Sequence, residues 1–194
     1  MAANEMILAN LIASRAEQKP DLDVLTFEGA GVRSDEIRTY ADLWQNGNRI
    51  AGGLIERGMQ IGDRFALFMR NHPEFVDTMV GASVSGTVFV PIDPRTKGAK
   101  LAYTLNNSQC RGIITADYAI DQILDIRDQL EYLDWIWVLA TDEGDDVNAA
   151  DVEGAESLQA ILSAPYSAVD IRVKTGREPF EIIYTSGTTG DPKG

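Results

Sequence analysis

Four short apolar runs, separated by segments with helical spacing, most limit how this sequence can fold. The runs lie at 65–69, 88–92, 112–115 and 135–139. The intervening segments predict helices over 74–85, 97–107 and 117–130. Strands that are apolar on both faces are typical of parallel sheets, because helices cover both sides of such a sheet. The pattern therefore predicts an α/β fold, with a mostly parallel sheet and helices on both faces.

The first 60 residues predict a lead-in of helix, strand and helix. Apolar spacing favours a helix over 6–17, and Val24–Phe27 favours a short strand. Thr39 with Asp42 three residues later is typical of a capping box that starts a helix reaching Arg57. Because glycine is unfavourable inside a helix, Gly47, Gly52 and Gly53 indicate close packing against another element.

Charge argues against several classes of partner. The 194 residues contain 17 Lys or Arg and 30 Asp or Glu, which gives a net charge of −13. Nucleic acids and anionic membranes are bound by clustered cations, so neither is an expected partner. No window approaches the roughly 18 apolar residues of a membrane span, so no integral membrane contact is expected. We expect a soluble, cytoplasmic protein.

Cysteine and histidine occur once each, as Cys110 and His72. A single cysteine forms no internal disulfide, and a structural zinc site needs several such ligands. We interpret Cys110 as a small buried side chain and His72, before Pro73, as a residue of a helix start or of the surface. The acidic segment Thr141–Glu156 lacks the residue order of a calcium loop and is predicted to be a solvated surface loop.

Three regions follow from these patterns: the lead-in at 1–60, an α/β subdomain at 61–178 that carries the acidic loop, and a strand with its following loop at 179–194. The predicted strand Phe180–Tyr184 runs directly into Thr185-Ser-Gly-Thr-Thr-Gly-Asp-Pro-Lys-Gly194. Glycines let backbone N–H groups approach an anion, hydroxyls donate to phosphate oxygens, and a lysine adds positive charge. The segment therefore predicts a polyphosphate site. Its spacing is not that of a Walker A loop, because Pro192 precedes Lys193 and Gly194 follows it.

The segment Tyr184–Gly194 resembles the phosphate-binding signature of the adenylate-forming enzymes, which include acyl-CoA synthetases, luciferases and peptide-synthetase adenylation domains. The segment 39–43 resembles an early helix-starting motif of the family. Four further segments resemble the acyl-CoA ligase branch and, within it, the fatty-acyl and crotonobetaine/carnitine ligases; they are 58–67, 71–75, 86–94 and 105–108. The resemblance implies activation of a carboxylic acid by ATP and Mg²⁺, followed by acyl transfer to coenzyme A.

The resemblance also implies roles for individual residues. The loop would wrap the β- and γ-phosphates, and Lys193 would pair with them; the loop residues are Thr185, Ser186, Gly187, Thr188, Thr189 and Gly190. Asp191 occupies a variable position. The family's adenine-, ribose- and metal-binding residues and its catalytic lysine lie beyond the signature, so no catalytic or metal-binding residue is predicted within this chain.

We therefore expect these residues to be the N-terminal part of a carboxylic acid–CoA ligase and to be inactive alone. The alternatives are a non-catalytic nucleotide- or phosphate-binding module and an interaction fragment. An exposed edge of the last strand could pair with a second copy, so a homodimer is a further expectation.

Overall fold

Alternating strands and helices make up the computed structural model, which describes residues 7–29, 34–141, 149–185 and 193–194. The strands are β1 Asp23–Phe27, β2 Glu36–Thr39, β3 Arg64–Phe68, β4 Val88–Pro91, β5 Cys110–Ala116, β6 Trp135–Leu139 and β7 Ala155–Ser157. The α-helices are α1 Leu8–Gln18, α2 Tyr40–Glu56, α3 Pro73–Ser85, α4 Gly98–Asn107, α5 Ile120–Leu124 and α6 Leu158–Leu162.

The predicted parallel sheet is confirmed. Five strands pair in the order β4-β3-β5-β6-β7, and β1 and β2 form a separate antiparallel pair. On one sheet face, Phe68, Ile113 and Val138 pack with Leu101 of α4 and Ile120 of α5. Side chains of the opposite face are equally buried, among them Phe65, Leu67, Ile114 and Trp137. Burial of both faces explains why the strands are continuous apolar runs rather than alternating ones.

Contact density divides the chain into two compact units, each built from three stretches. The first unit comprises residues 1–62, 71–88 and 161–180, and the second comprises 63–70, 89–160 and 181–194. The regions that the sequence suggests at 1–60, 61–178 and 179–194 stay a prediction.

Two glycines allow helices α2 and α3 of the first unit to approach closely. A Cβ on Gly47 would lie 2.4 Å from Val80 Cγ1, and a Cβ on Gly81 would lie 2.6 Å from Ile50 Cγ2. Gly52, in contrast, has room for a methyl group, because such a Cβ would lie 4.0 Å from Val169 Cγ2. The capping box at the start of α2 is confirmed, because the Asp42 N–H donates to Thr39 Oγ1 and the Thr39 N–H donates to the Asp42 carboxylate.

A buried cluster of charges lies in the same unit. The Arg38 guanidinium contacts Glu36 at 3.0 Å, Glu74 at 3.5 Å and Asp77 at 3.2 Å. The Asp77 side chain is 0% exposed, and its Oδ2 also accepts from the Asn46 amide at 3.1 Å. Burial, reinforced by the charge of Glu74, outweighs the attraction of Arg38 and raises the pKa of Asp77 to about 7.

The predicted helix over 117–130 is wrong in its length. The chain forms a 3₁₀ turn at Asp117–Ala119, the short helix α5, and a second 3₁₀ turn at Arg127–Gln129. The Ile126 N–H donates to the Ile123 carbonyl, and the Gln129 N–H donates to the Ile126 carbonyl. Both hydrogen bonds span three residues, as in a 3₁₀-helix, so they interrupt the continuous α-helix that the sequence predicts.

Other local predictions have mixed outcomes. Cys110 is buried as expected, and burial raises the pKa of its thiol to about 12. His72 precedes α3 as expected, yet it is only 3% exposed and stacks near the Phe27 ring, so a surface position is wrong. The acidic segment is not wholly loop: it contains a 3₁₀ turn at Ala149–Asp151, and β7 begins at Ala155. Residues 142–148 lie outside the described residues.

Candidate functional site

The signature segment begins at the carboxyl edge of the parallel sheet. Glu181 forms an isolated parallel bridge with Phe89 of β4, and the Ile182 N–H donates to the Phe89 carbonyl at 3.1 Å. The segment 180–184, predicted to be a strand, therefore pairs with β4 at one position only and forms an isolated bridge. Thr185 follows and lies at the edge where ligands bind in open α/β sheets.

A backbone hydrogen bond joins the two ends of the signature. The Thr185 N–H donates to the Lys193 carbonyl at 3.0 Å, and Thr185 Oγ1 donates to the same oxygen at 3.3 Å. The chain between them is thereby closed into a loop. The structure thus brings together the first and last of the predicted phosphate-binding residues. The others lie outside the described residues; they are Ser186, Gly187, Thr188, Thr189 and Gly190.

Gly194 allows the returning chain to lie against the segment that leads into the loop. A Cβ on Gly194 would lie 2.8 Å from Ile182 Cγ2 and 2.8 Å from a Tyr184 ring carbon. Real Cβ atoms do not approach other atoms so closely, and only glycine avoids this clash. The glycine that ends the signature therefore serves close backbone packing at the base of the loop.

Tyr184 anchors the same base to α4. Its ring packs against the core beneath the sheet, and its hydroxyl donates to Asn107 Oδ1 at 2.5 Å. Burial raises the pKa of the Tyr184 hydroxyl, so this group stays a protonated donor at neutral pH. The start of the loop is consequently held from both sides, by β4 through the backbone and by α4 through a side chain.

A cavity of about 320 Å³ opens beside Thr185. Its lining is mainly polar and comprises Pro91, Ile92, Asp93, Thr96, Lys100, Thr104, Tyr184 and Thr185. Asp93 and Lys100 are the charged members of this lining. The site therefore combines the base of the predicted phosphate loop with one cation from the first turn of α4.

Arg95 neutralises the carboxylate in this cavity. Its Nε donates to Asp93 Oδ1 at 3.0 Å, and its Nη2 donates to Asp93 Oδ2 at 2.6 Å. These hydrogen bonds lower the pKa of Asp93 to about 2, so the carboxylate stays ionised and paired. The charge of Lys100 makes a smaller contribution to the same shift, and Lys100 is the cation in the lining of the cavity.

Sequence reasoning assigned no role to Thr96 or Lys100. A signal was present, because both residues follow β4 within a short distance and the first turn of α4 contains no acidic side chain. Helix starts ordinarily favour acidic residues, since the helix dipole is positive there. That Lys100 and Thr185 line the same cavity depends on the tertiary structure, and this signal did not specify it.

Metal ligands are scarce in the part of the chain that the structure describes. It contains no group of three or more His, Cys, Asp or Glu side chains placed to hold a metal ion. None of the helices in the described ranges has the length and apolar character needed to cross a membrane.

Comparison with known proteins identifies the family of this chain. Residues 12–194 match the family described as AMP-binding enzyme. A medium/long-chain-fatty-acid–CoA/3-oxocholest-4-en-26-oate–CoA ligase of Mycobacterium marinum is 29% identical over 97% of this chain and 34% of its own length. A crotonobetaine/carnitine–CoA ligase of Salmonella typhimurium is 34% identical over 80% of this chain and 29% of its own length. The chain thus spans about a third of these curated relatives.

A solved structure supports the fold independently. The acetoacetyl-CoA synthetase of Streptomyces lividans superposes with a TM-score of 0.82 over 95% of this chain and 29% of its own, at 20% sequence identity. The family match confirms the resemblance that the signature suggests. From the family match over residues 12–194, we conclude that this chain belongs to the AMP-binding family of adenylate-forming enzymes.

Proposed function

We propose that the full-length protein is an ATP-dependent carboxylic acid–CoA ligase. In the first step a carboxylate oxygen bonds to the α-phosphorus of ATP, the bond between the α- and β-phosphates breaks, and pyrophosphate leaves. In the second step the sulfur of coenzyme A bonds to the acyl carbon, and AMP leaves with the electrons of the broken acyl–phosphate bond. The thiol proton passes to a base that we do not assign within this chain.

The observation that carries the proposal is the meeting of the two ends of the signature at the carboxyl edge of the sheet. The Thr185 N–H donates to the Lys193 carbonyl at 3.0 Å, which brings a hydroxyl-bearing residue and the lysine together at one position. Such groups stabilise the negative charge that moves onto a leaving pyrophosphate. The Thr185 and Lys193 side chains are proposed to contact the β- and γ-phosphates; the same role is proposed for Ser186, Gly187, Thr188, Thr189 and Gly190.

The nature of the acid is a finer proposal. The two curated relatives described above are named for fatty or steroid acids and for crotonobetaine or carnitine. We propose that the substrate is a fatty-acyl or a crotonobetaine/carnitine-like carboxylic acid. Because the chain spans about a third of these relatives, we further propose that the 194 residues alone do not turn over.

Magnesium would accompany ATP rather than occupy a cage in this chain. The described residues offer no cluster of three or more ligating side chains. Mg²⁺ is commonly bound through substrate phosphates and only one or two carboxylates. We therefore assign it no ligand here and derive no step from it.

Exchange of labelled pyrophosphate into ATP, measured on the full-length protein with a panel of carboxylic acids, tests the proposal. We expect acid-dependent exchange, and a loss of about 100-fold or more in Lys193→Ala, because one contact to developing charge contributes that much. Lys19→Ala removes an exposed lysine elsewhere and is the matched control, with exchange expected to be unchanged.

Three other outcomes would contradict the proposal in different ways. Binding of ATP without exchange for any acid would favour the non-catalytic nucleotide-binding module. Absence of nucleotide binding would favour an interaction fragment. Pyrophosphate release by the 194-residue polypeptide, checked by intact mass, would contradict its proposed inactivity while leaving the ligase assignment in place.

A further inference from the structure

A second lysine faces the base of the predicted phosphate loop. Lys100 lines the cavity that Thr185 also lines, although the two residues are far apart in sequence. Lys97 lies three residues earlier, is exposed like Lys100, and does not line this cavity. The two lysines therefore match in charge and exposure, but only Lys100 lines the cavity.

The diphosphate group of ATP needs more positive charge than one lysine supplies. Catalysis of phosphoryl chemistry depends on cations and backbone dipoles that offset charge on the transferred and leaving phosphates. This chain carries a net charge of −13, which disfavours any polyanion unless cations are placed locally. A lysine at the base of the loop therefore supplies local positive charge that the acidic protein as a whole does not provide.

The cavity around Lys100 is suited to an anion. Its carboxylate, Asp93, is held by Arg95 through contacts of 2.6–3.1 Å, and the charge of Lys100 makes a smaller contribution to keeping it ionised. Thr96 and Thr185 add hydroxyl groups to the lining. The amide end of α4 contributes further positive potential, because α4 extends from Gly98 to Asn107 and Lys100 lies in its first turn.

Local helix energetics do not explain this lysine. A cation in the first turn of a helix opposes the helix dipole and is slightly destabilising. Alanine is a stronger helix former than lysine. Replacing Lys100 with alanine is therefore expected to leave the helix at least as stable, so a loss of ligand affinity would not result from a loss of folding.

We infer that Lys100 binds the β,γ-diphosphate group of ATP, and hence pyrophosphate, as a second cation in addition to Lys193. This inference rests on the proposed function, because that function supplies the diphosphate. It names Lys100 as a direct ligand contact and predicts that affinity for the leaving group depends on it, while affinity for the carboxylic acid does not.

Lys100→Ala and Lys97→Ala, made in the full-length protein, test the inference. The readouts are the pyrophosphate and ATP concentrations at half-maximal exchange, with magnesium present and ionic strength near 0.15 M, where charges beyond about 8 Å are largely screened. We expect roughly a tenfold rise in both values for Lys100→Ala, as for loss of one charge-assisted hydrogen bond. Lys97→Ala should match the wild type, Lys100→Arg should retain most affinity, and the KM for the acid should stay unchanged throughout.

Direct calorimetric titration with magnesium pyrophosphate decides the question even if no acid supports exchange. Weaker pyrophosphate binding by Lys100→Ala than by Lys97→Ala supports the contact. Equal affinities in the two variants overturn it while leaving the ligase proposal intact, provided that the wild type exchanges. A wild-type protein that binds neither pyrophosphate nor ATP overturns both the inference and the proposed function.

Discussion

The buried carboxyl group of Asp77 makes the free energy of unfolding depend on pH. In the folded protein its pKa is about 7, compared with an ordinary value of 3.8. A carboxyl group whose pKa is raised by folding stabilises the protein below its unfolded pKa, and this stabilisation is lost as pH rises through the folded pKa. The window for Asp77 therefore extends from about pH 4 to about pH 7.

The size of the effect follows from the shift. A difference of about three pKa units corresponds to about 4 kcal/mol, at 1.36 kcal/mol per unit. Inside the window, the folded state holds one more proton than the unfolded state. The free energy of unfolding should consequently fall by about 1.4 kcal/mol for each pH unit that is added.

Asp77→Asn removes this proton while keeping the shape and the acceptor oxygen that faces Arg38. Urea unfolding of both proteins, followed by near-ultraviolet circular dichroism between about pH 5 and pH 8, measures the difference in slope. Trp44 belongs to the same compact unit as Asp77 and provides a local signal. We expect the stability of the wild type relative to the variant to fall between about pH 5 and pH 7 and to level off above pH 7.

Two features of the experiment make it decisive. Arg38, Glu36 and Glu74 stay in place in the variant, so the comparison isolates the proton on Asp77. Asp21→Asn alters an exposed carboxylate and should give the wild-type slope. Parallel pH profiles for the wild type and Asp77→Asn would refute the reasoning, because Asp77 would then be ionised in the folded state despite its burial.

Two further predictions concern packing and reactivity. Gly112→Ala should destabilise the protein by about 1–3 kcal/mol or more in urea unfolding, because its Cβ would lie 1.9 Å from a Trp135 ring carbon. Gly52→Ala should instead stabilise the protein by up to about 1 kcal/mol, because the added methyl group has room and alanine favours a helix. Equal changes in the free energy of unfolding for the two variants would contradict both packing arguments. Burial raises the pKa of the Cys110 thiol to about 12, so this thiol should react with a disulfide reagent only after unfolding. Rapid reaction of the native protein at neutral pH would contradict this prediction.

Much of the secondary structure was predictable because its causes are local. The hydrogen bonds of Thr39 and Asp42 act across three residues, so the start of α2 could be placed from the sequence. Apolar runs marked β3 and β6 for the same reason, since burial on both faces leaves a direct compositional trace. The division of 117–130 into α5 and two 3₁₀ turns left no trace in the apolar spacing, because Ile120 and Ile123, three residues apart, lie within the α-helix α5 itself.

Elements with little sequence signal were not predicted. Strand β7 comprises only Ala155–Ser157, follows an acidic stretch, and pairs with β6 across distant sequence. The glycine pattern in α2 was partly informative. Gly47 does permit close helix packing, whereas Gly52 does not require it, and only the position of the neighbouring α3 separates the two.

The amino-acid sequence alone determined the alternating α/β plan, the family resemblance and the chemistry of the signature, because each depends on neighbouring residues. Tertiary structure alone decided that the signature starts beside β4, that Lys100 and Thr185 line one cavity, and that Asp77 is buried against Arg38. These three facts bring together residues that are distant along the chain. Their electrostatic consequences depend on distance and burial, which folding creates and which no local pattern encodes.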